Sequence, residues 1–338
     1  MEFESVYFEL TNICNLNCKT CYNRSGLNKE RKEIPVESLF TAIEMFRRYG
    51  LQSVHLSGGE TMLYSDIQSL FEKIAATPNI YFTMTTNGTV NGELLLAQYR
   101  KNKNFFVQIS LDGSCEEVNA KTRGQGGFAK ALAVLKGLHD SERPVGYRIK
   151  MVLSKYNFED ILSYFRLASE YGCEPQFSFM SLIGNGLQNQ EDMLLSDMDK
   201  MKALRYIDEG NKAYGMQVKL PFCAFSCPFG DVSEDLKING MVKPNGDIMP
   251  CQGLYDENYR LGNIYAFDER EVFDNIERLK NIVCTRLKTD YGCSKCLIEP
   301  LCKRGCPSMA LLNSGDIMGT DKECAFRLKH YLKYQFRK

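Results

Sequence analysis

The sequence lacks an excess of either charge, because its 338 residues include 42 lysines and arginines against 42 aspartates and glutamates. A chain balanced in this way has neither a basic surface for nucleic acid nor an acidic tail. It also lacks any apolar run near the roughly 20 residues that a membrane-spanning helix needs. Its first ten residues contain glutamates but no lysine or arginine, which argues against a signal peptide. We therefore expect a cytoplasmic protein that binds neither nucleic acid nor membrane.

Cysteine, by contrast, is abundant, with 14 residues in the chain. A reducing cytosol keeps thiols free, so this density indicates metal or redox chemistry rather than disulfides. Most cysteines fall into two groups, which are Cys14, Cys18 and Cys21 near the start, and Cys223, Cys227, Cys251, Cys284, Cys293, Cys296, Cys302, Cys306 and Cys324 in the last third. This distribution predicts two domains, residues 1–215 and residues 216–338.

Residues 1–215 alternate short β-rich runs with amphipathic helical stretches, which predicts an α/β fold. Repeated strand–helix units of this kind indicate a parallel sheet with right-handed crossovers. Six strands fit a partial (β/α)6 TIM-like barrel better than a closed eight-stranded one, with a functional site at the carboxyl ends of the strands. The predicted strands are Val6–Leu10, Ser53–Leu56, Ile80–Thr85, Phe105–Leu111, Tyr147–Leu153 and Gln176–Met180.

The composition changes after Leu220, where glycine, aspartate, asparagine and proline become frequent, the helical periodicity weakens and cysteines recur. Such a segment buries little apolar surface by itself, so metal coordination would supply the missing folding free energy. A last helix over about Ala325–Arg337 has apolar and aromatic spacing, and we expect it to pack against the first domain.

Cys14, Cys18 and Cys21 follow the first predicted strand with the spacing Cys-x3-Cys-x2-Cys. Three thiolates in one short loop can hold three irons of a [4Fe–4S] cluster and leave the fourth iron open for a ligand. Zinc is the alternative, but structural zinc sites prefer four protein ligands, often in Cys-x2-Cys pairs. None of the three histidines in the chain is spaced as a fourth ligand. The motif therefore favours an iron–sulfur site.

This motif, placed after strand one of a six-unit α/β chain, resembles that of the radical S-adenosylmethionine (SAM) superfamily. In that family the open iron binds the amino and carboxylate groups of SAM. The reduced cluster then cleaves SAM to a 5′-deoxyadenosyl radical, which abstracts a hydrogen atom from the substrate, while the protein orients the reactants and excludes water. The resemblance implies SAM as a cofactor and a flavodoxin- or ferredoxin-type reductant as a partner.

Short motifs after the next strands also resemble this family, although each is common in turns by itself. Glu60 ends a Gly-Gly-Glu motif that would bind the amine of SAM, and Ser110 and Asp112 resemble residues on the ribose and amine side. Arg123 resembles the arginine that pairs with the carboxylate of SAM. The family often has an aromatic residue before its third cysteine, where this chain has Thr20. The SAM-binding residues that the resemblance implies are Tyr22, Ser57, Gly58, Gly59, Glu60, Asn87, Ser110, Asp112 and Arg123.

The second cysteine group resembles the SPASM domain, a C-terminal extension of radical SAM peptide and protein maturases that typically binds two auxiliary [4Fe–4S] clusters. With the first motif, the resemblance covers nearly the whole chain. The interleaved ligation of that family implies Cys223, Cys227, Cys251 and Cys306 for auxiliary cluster I, and Cys293, Cys296, Cys302 and Cys324 for auxiliary cluster II. Cys284 is an alternative to Cys223 or Cys227, and a zinc ribbon is the alternative for the Cys293–Cys296 pair.

Cys115, Cys173 and Cys284 remain outside these sets. A buried free cysteine usually behaves as a small hydrophobic residue. The alternative is a thiol that donates a hydrogen atom to a substrate radical, as an epimerase requires. The sequence does not choose among the three.

The resemblance implies an enzyme that modifies a peptide or protein substrate, by a thioether or carbon–carbon crosslink or by epimerisation. Many such relatives carry an N-terminal domain that recognises a leader peptide. Here the first strand begins within the first ten residues, so we expect either a separate leader-binding protein or direct binding of the substrate.

Three alternatives stay open. Formylglycine formation is disfavoured because sulfatase maturases have an aspartate base where this chain has Gln252, and an amide cannot accept the proton; Asp256 and Glu257 lie near in sequence. Oxidation of a small-molecule alcohol is known in shorter relatives with one auxiliary cluster. A non-enzymatic iron–sulfur electron carrier would leave Glu60 and Arg123 without a purpose.

Overall fold

The first part of the chain alternates parallel strands with helices, as its sequence predicts. The computed structural model of the protein describes residues 2–141, 143, 146–220, 237–289 and 292–334. The strands of this part are β1 (Glu2–Thr11), β2 (Ser53–Gly58), β3 (Tyr81–Thr86), β4 (Phe105–Ser110), β5 (Tyr147–Leu153) and β6 (Glu174–Phe179). The helices are α1 (Val36–Arg47), α2 (Ile67–Ala75), α3 (Gly92–Lys101), α4 (Glu116–Arg123), α5 (Phe128–His139), α6 (Ile161–Glu170), α7 (Gly184–Gln188), α8 (Gln190–Met193) and α9 (Asp197–Tyr214).

The second part adds three short strands and four helices to the described residues. These elements are β7 (Lys237–Val242), β8 (Asp247–Met249), β9 (Gly262–Asn263), α10 (Glu269–Lys288), α11 (Glu299–Cys302), α12 (Pro307–Ser314) and α13 (Cys324–Tyr334). Short 3₁₀ turns occupy Thr61–Leu63, Phe158–Asp160, Glu257–Tyr259, Ile264–Ala266 and Cys293–Lys295.

The described strands form one sheet in the order β6-β5-β4-β3-β2-β1-β7-β8-β9. Strands β1 to β6 are parallel to one another, and β7 is parallel to β1, whereas β8 and β9 are antiparallel to their neighbours. The predicted α/β fold, a partial barrel of six strand–helix units, is therefore confirmed. Its parallel strands end on one edge, where the sequence places its short motifs.

The two faces of the sheet differ in chemistry. On one face Val6, Phe8 and Leu10 of β1 are fully buried, and the ring of Phe8 lies 6.2 Å from that of Phe46 in α1, centroid to centroid. Successive side chains of a strand point to opposite faces, and the opposite face, which we call the inner face, is polar. There the ring of Tyr7 stacks on His55 with the centroids 4.4 Å apart.

The polar inner face continues across the next strands. Gln108 in β4 donates from Nε2 to Oγ1 of Thr85 in β3 over 3.1 Å, and Arg148 in β5 donates from Nε to Oε1 of Gln108 over 2.9 Å. The barrel interior is therefore lined by hydrogen-bonded polar groups rather than by a second apolar core.

The second part is joined closely to the first. β7 continues the sheet beside β1, and α13 packs against α9, as the sequence predicts for the last helix. Lys200 of α9 pairs with Glu323, which precedes α13, with Nζ and Oε1 2.6 Å apart. The predicted boundary at residue 215 falls directly after α9, and the division into two domains stays a prediction.

The sequence expectation of weak helical periodicity after Leu220 is wrong for α10, a helix of 20 residues. Its buried residues include Val272, Ile276, Leu279 and Val283, at the spacing of one helical face. Charged residues between them make this stretch look irregular when only composition is considered. Among the described residues, no helix is long and apolar enough to cross a membrane.

Gly210 tests the packing of α9 on α6. A Cβ at this position would lie closer than 3.0 Å to the ring of Phe165. We predict that Gly210→Ala lowers the free energy of unfolding by about 1–2 kcal/mol, because overpacking outweighs the gain in helix propensity. The thermal unfolding midpoint would show this fall. Lys212→Ala, on the exposed side of the same helix, is the matched control, and equal midpoints for the two variants would contradict the prediction.

Candidate cofactor site at the carboxyl ends of the strands

The loop with the first three cysteines lies at the edge where the parallel strands end. Asn87, which follows β3, places its Nδ2 4.0 Å from Sγ of Cys14. Arg123, at the end of α4, places its Nη1 4.0 Å from Sγ of Cys18. Cys21 closes a turn with Cys18, since its N–H donates to the carbonyl of Cys18 over 3.1 Å. The loop is therefore flanked by polar groups from two different strand–helix units.

Gly58 and Gly59 allow β2 to run directly against this loop. The N–H of Gly59 donates to the carbonyl of Thr11 over 2.6 Å, and the N–H of Glu60 donates to that of Ile13 over 2.8 Å. A Cβ on Gly59 would lie closer than 3.0 Å to the Ile13 carbonyl, and Gly58 has a φ of +123°. The two glycines thus permit the approach of the cysteine loop itself.

A segment after β6 holds the other end of the loop, and sequence reasoning missed it. Asn185 donates from its backbone N–H to the carbonyl of Cys21 over 2.7 Å, and from Nδ2 to the carbonyl of Cys18 over 2.9 Å. Gly184 has a φ of +61°, and a Cβ there would lie closer than 3.0 Å to the Cys21 carbonyl. The only signal in the sequence was a Gly-Asn pair after a strand.

Glu60 is almost fully buried, and its carboxylate is already engaged. Oε1 accepts from Oγ1 of Thr86 over 2.6 Å and from the N–H of Met62 over 3.0 Å, while Oε2 accepts from the N–H of Asn87 over 2.7 Å. Burial raises the pKa of Glu60, and these hydrogen bonds act against that rise. Because Oε2 accepts only one of these hydrogen bonds, it can accept a second one from another donor.

Asp112 is fully buried behind Arg123. Its Oδ2 lies 2.9 Å from Nε of Arg123 and accepts from Oγ1 of Thr122 over 3.1 Å, while its Oδ1 accepts from the N–H of Val152 over 2.8 Å. Both oxygens are therefore occupied, and the carboxylate fixes the guanidinium beside Cys18. Ser110, which ends β4, pairs in register with Lys150 and is half-buried at the same edge.

Glu9 is a buried carboxylate on the inner face that sequence reasoning also missed. The hydroxyl of Tyr255 donates to it, with distances of 2.8 and 2.7 Å to the two oxygens. Tyr22 is also beside Glu9 and Ser57. Burial raises the pKa of Glu9 to about 7, although the hydrogen bond from Tyr255 and the nearby hydroxyl of Tyr22 oppose the rise. The signal in the sequence was a glutamate within an otherwise apolar strand.

Lys243 completes this network. Its Nζ donates to the carbonyl of Tyr255 over 3.0 Å and lies 4.2 Å from the centroid of that ring. Asp256 and Glu257, the acidic residues near Gln252 in sequence, are instead exposed, and Asp256 caps a 3₁₀ turn by accepting from the N–H of Asn258. The buried carboxylate that contacts this segment, through Tyr255, is therefore Glu9 of β1.

The fold places some cysteines of the second group near one another. Burial raises the pKa of Cys324, and the negative charges of Asp321, Cys302 and Cys293 add to the rise, so the thiols of Cys302 and Cys293 both lie within electrostatic range of Cys324. Cys296 follows Cys293 in the same turn. Gly253 packs against Ser308, which lies two residues after Cys306, and a Cβ on Gly253 would lie 3.9 Å from Sγ of Cys251. The chain segments that carry Cys251 and Cys306 are therefore adjacent. Cys223 and Cys227 lie outside the described residues.

The three leftover cysteines lie apart from these groups. Cys115 is exposed at the start of α4, Cys173 is buried just before β6, and Cys284 is half-buried within α10. Among the described residues, no three His, Cys, Asp or Glu side chains converge as ligands of one metal ion. A [4Fe–4S] cluster binds each thiolate at a different iron, and three thiols on one anchored loop fit that requirement.

The comparisons with known proteins agree with this geometry. Residues 8–168 match the family model of the Radical SAM superfamily. The mycofactocin maturase MftC of Mycolicibacterium smegmatis is 23% identical over 326 residues, which cover 94% of this chain and 81% of that protein. The PqqA peptide cyclase of Xanthomonas oryzae pv. oryzae is 25% identical over 333 residues, which cover 95% of this chain and 87% of that protein.

Solved structures share the fold. SuiB of Streptococcus suis bound to S-adenosylmethionine has a TM-score of 0.79 at 18% identity, over 96% of this chain and 77% of that one. SuiB bound to precursor peptide SuiA has a TM-score of 0.75 at 19% identity, over 96% and 76%. Radical SAM domains use SAM and a [4Fe–4S] cluster, and the three-cysteine loop lies within the matched residues. Residues 8–168 are therefore similar to the radical SAM superfamily, and the relatives that match nearly the whole chain include a maturase and a peptide cyclase.

Proposed function

We propose that the protein is a radical SAM enzyme that modifies a ribosomally made peptide or protein, by a thioether or carbon–carbon crosslink or by epimerisation. The peptide class is supported by the relatives, which include a peptide cyclase and an enzyme crystallised with a precursor peptide. Similarity to them extends over both cysteine groups rather than over the barrel alone, since it covers 95% of this chain in the first case and 96% in the second.

The observation that carries the proposal is the distribution of charge around the cysteine loop. Burial raises the pKa of Cys14 to about 12 and that of Cys18 to about 11. Beyond burial, the negative charge of Glu60 acts on Cys14, and the positive charge of Arg123 acts on Cys18. A carboxylate on one side and a guanidinium on the other complement the ammonium and carboxylate of an amino-acid head group, which SAM carries.

The residues then have separate roles. Cys14, Cys18 and Cys21 would hold the [4Fe–4S] cluster, and cluster and SAM together supply the radical chemistry. Glu60 would bind the amino group of SAM through the free acceptor site on Oε2, and Arg123 would bind its carboxylate. Asp112 acts as the support that orients Arg123. The remaining residues assigned to the SAM pocket are Tyr22, Ser57, Gly58, Gly59, Asn87 and Ser110.

We assign the second cysteine group to two auxiliary [4Fe–4S] clusters. Cluster I takes Cys223, Cys227, Cys251 and Cys306, and cluster II takes Cys293, Cys296, Cys302 and Cys324. The second set is supported by the electrostatic effect of the Cys293 and Cys302 thiols on Cys324. A flavodoxin- or ferredoxin-type protein would supply electrons, a separate protein would present the leader peptide, and the cytoplasm would keep the thiols reduced.

Glu9 is the group that we propose as the proton acceptor for the substrate. An oxidative crosslink removes one hydrogen atom, which the 5′-deoxyadenosyl radical would take, and then one electron and one proton. The electron would pass to an auxiliary cluster, and the proton requires a base. Gln252 cannot serve, whereas Glu9 lies on the inner face with Tyr255 bonded to both of its oxygens. In this proposal the hydroxyl of Tyr255, which donates to Glu9, would relay the proton from the substrate to the carboxylate.

The test of the reaction class is anaerobic co-expression with the short peptides encoded beside the gene, followed by mass spectrometry. A peptide that is lighter by two hydrogens indicates a crosslink, and one of unchanged mass with an inverted residue indicates epimerisation. Formation of 5′-deoxyadenosine with alcohol-bearing small molecules but with no peptide would refute the peptide class.

Removal of the first cysteine group tests the cluster assignment. Anaerobically reconstituted wild-type protein should hold about 12 irons per chain, in three four-iron clusters, and form 5′-deoxyadenosine from SAM when reduced. The triple variant Cys14→Ala, Cys18→Ala, Cys21→Ala should hold about 8 irons and form none. Cys115→Ala, at an exposed cysteine, should retain both properties. Zinc in place of iron would refute the assignment.

Glu60→Gln tests the contact with SAM. The amide presents an NH₂ group where buried donors now point at the carboxylate, so we expect SAM to bind about 5- to 150-fold more weakly, from a loss of roughly 1–3 kcal/mol. Equilibrium dialysis on the reconstituted protein measures this change. Glu93→Gln, at an exposed glutamate of α3, is the control. Equal SAM affinity in both variants would show that Glu60 does not contact SAM.

Glu9 should ionise near neutral pH. Because burial raises its pKa to about 7, its acid form should persist above the usual range of glutamate and be lost as the pH rises through about 7. Infrared difference spectra should show the C=O stretch of this acid disappearing between about pH 6 and 8, and Glu9→Gln should lack that band. A wild-type spectrum without the band would place the pKa of Glu9 in the ordinary range.

A further inference from the structure

A buried ion pair lies between the two predicted sets of auxiliary-cluster ligands. Arg327 of α13 donates from Nη1 to Oδ1 of Asp321 over 2.8 Å, and its Nη2 contacts Oδ2 of the same carboxylate. Asp321 is 0% exposed and Arg327 is 5% exposed. Removing two charges from water is costly. A pair buried this deeply is therefore expected to have a specific role in this loop-rich part of the chain.

The pair contacts one cysteine of each set. Nη1 of Arg327 lies 3.8 Å from Sγ of Cys302, which we assign to auxiliary cluster II. Oδ2 of Asp321 accepts from the N–H of Cys306 over 2.9 Å, and we assign Cys306 to auxiliary cluster I. The ion pair therefore forms a hydrogen-bonded link from a thiol of one set to the backbone of a ligand of the other.

The surrounding chain is shaped for this link. Gly305 has a φ of +72°, and a Cβ there would lie closer than 3.0 Å to both Arg327 and Asp321. Arg286, which is buried in α10, donates to the carbonyls of Arg304 and Gly305 over 2.6 and 3.3 Å. The turn between the two cysteines is thus fixed from both sides, and the guanidinium of Arg327 is held against Cys302.

We propose that Arg327 and Asp321 are positioning residues that set the reduction potential of the cluster bound through Cys302. The inference rests on the cluster assignment above. Reduction adds negative charge to an iron–sulfur cluster, and hydrogen bonds and net charge at its cysteine sulfurs tune its potential. Arg327 brings a positive charge and an N–H donor to the sulfur and so favours the reduced cluster, while Asp321 holds that arginine in place and offsets part of its charge.

The two residues should therefore shift the potential in opposite directions. Removing the guanidinium, as in Arg327→Gln, should make the cluster harder to reduce and lower its potential. Neutralising the carboxylate, as in Asp321→Asn, leaves the arginine uncompensated and should raise the potential, while the amide oxygen can still accept from the Cys306 N–H. Arg327→Lys keeps a charge and a donor, so its potential should fall between those of Arg327→Gln and the wild type.

The experiment is a redox titration of the auxiliary clusters, followed by electron paramagnetic resonance, in the full-length triple variant that lacks Cys14, Cys18 and Cys21. That background removes the signal of the first cluster, and no substrate is needed. Lys329→Gln, which removes an exposed positive charge from the same helix, is the matched control and should leave both potentials unchanged. Iron is counted in every sample, so that only fully loaded proteins are compared.

Opposite shifts for Arg327→Gln and Asp321→Asn, confined to one of the two auxiliary signals, would support the proposal. Shifts in the same direction, or unchanged potentials at full iron content, would overturn it. If Arg327→Gln fails to load iron, Arg327→Lys and Asp321→Asn still give the test. A background protein with only one auxiliary signal would overturn the cluster assignment instead, and none of these outcomes depends on whether the peptide reaction is found.

Discussion

The backbone contact between β2 and the cysteine loop constrains everything else at the candidate site. Because Gly58 and Gly59 have no side chains, the end of β2 donates its N–H groups directly to carbonyls of the loop. The same two glycines bring Glu60 under the loop, where Thr86 and Asn87 fix its carboxylate. The position of the thiols and the position of the acid thus both depend on one short segment.

The other side chains around the cysteine loop come from the carboxyl ends of the parallel strands. Each parallel strand ends at the same edge of the sheet, so side chains far apart in sequence become neighbours. Arg123 reaches Cys18 from α4, Asn185 reaches the loop from beyond β6, and Asp112 supports Arg123 from the end of β4. The protein thus holds the loop in place through contacts from several strand–helix units.

The parts of the molecule that could be predicted from sequence are those encoded locally. The strands of residues 1–215 follow from short apolar runs, and the cysteine spacing alone identifies the first loop. The partner of Glu9 could not be found in this way, because Tyr255 is 246 positions further along the chain. Asp112 was expected to face a ligand, and its burial behind Arg123 depends on tertiary packing that no local motif encodes. The regular helix α10 was obscured by its many charged residues.

The polar inner face of the barrel has an electrostatic consequence. Burial, with the nearby charges of Arg148 and Lys150, lowers the pKa of His55 to about 4, so its imidazole stays neutral at physiological pH. Tyr7, stacked on it, stays a neutral phenol, because burial raises its pKa. The stacked pair of Tyr7 and His55 therefore carries no charge at physiological pH. The electrostatic field on the inner face nevertheless changes with pH, because burial raises the pKa of Glu9 to about 7 and its charge appears within the physiological range.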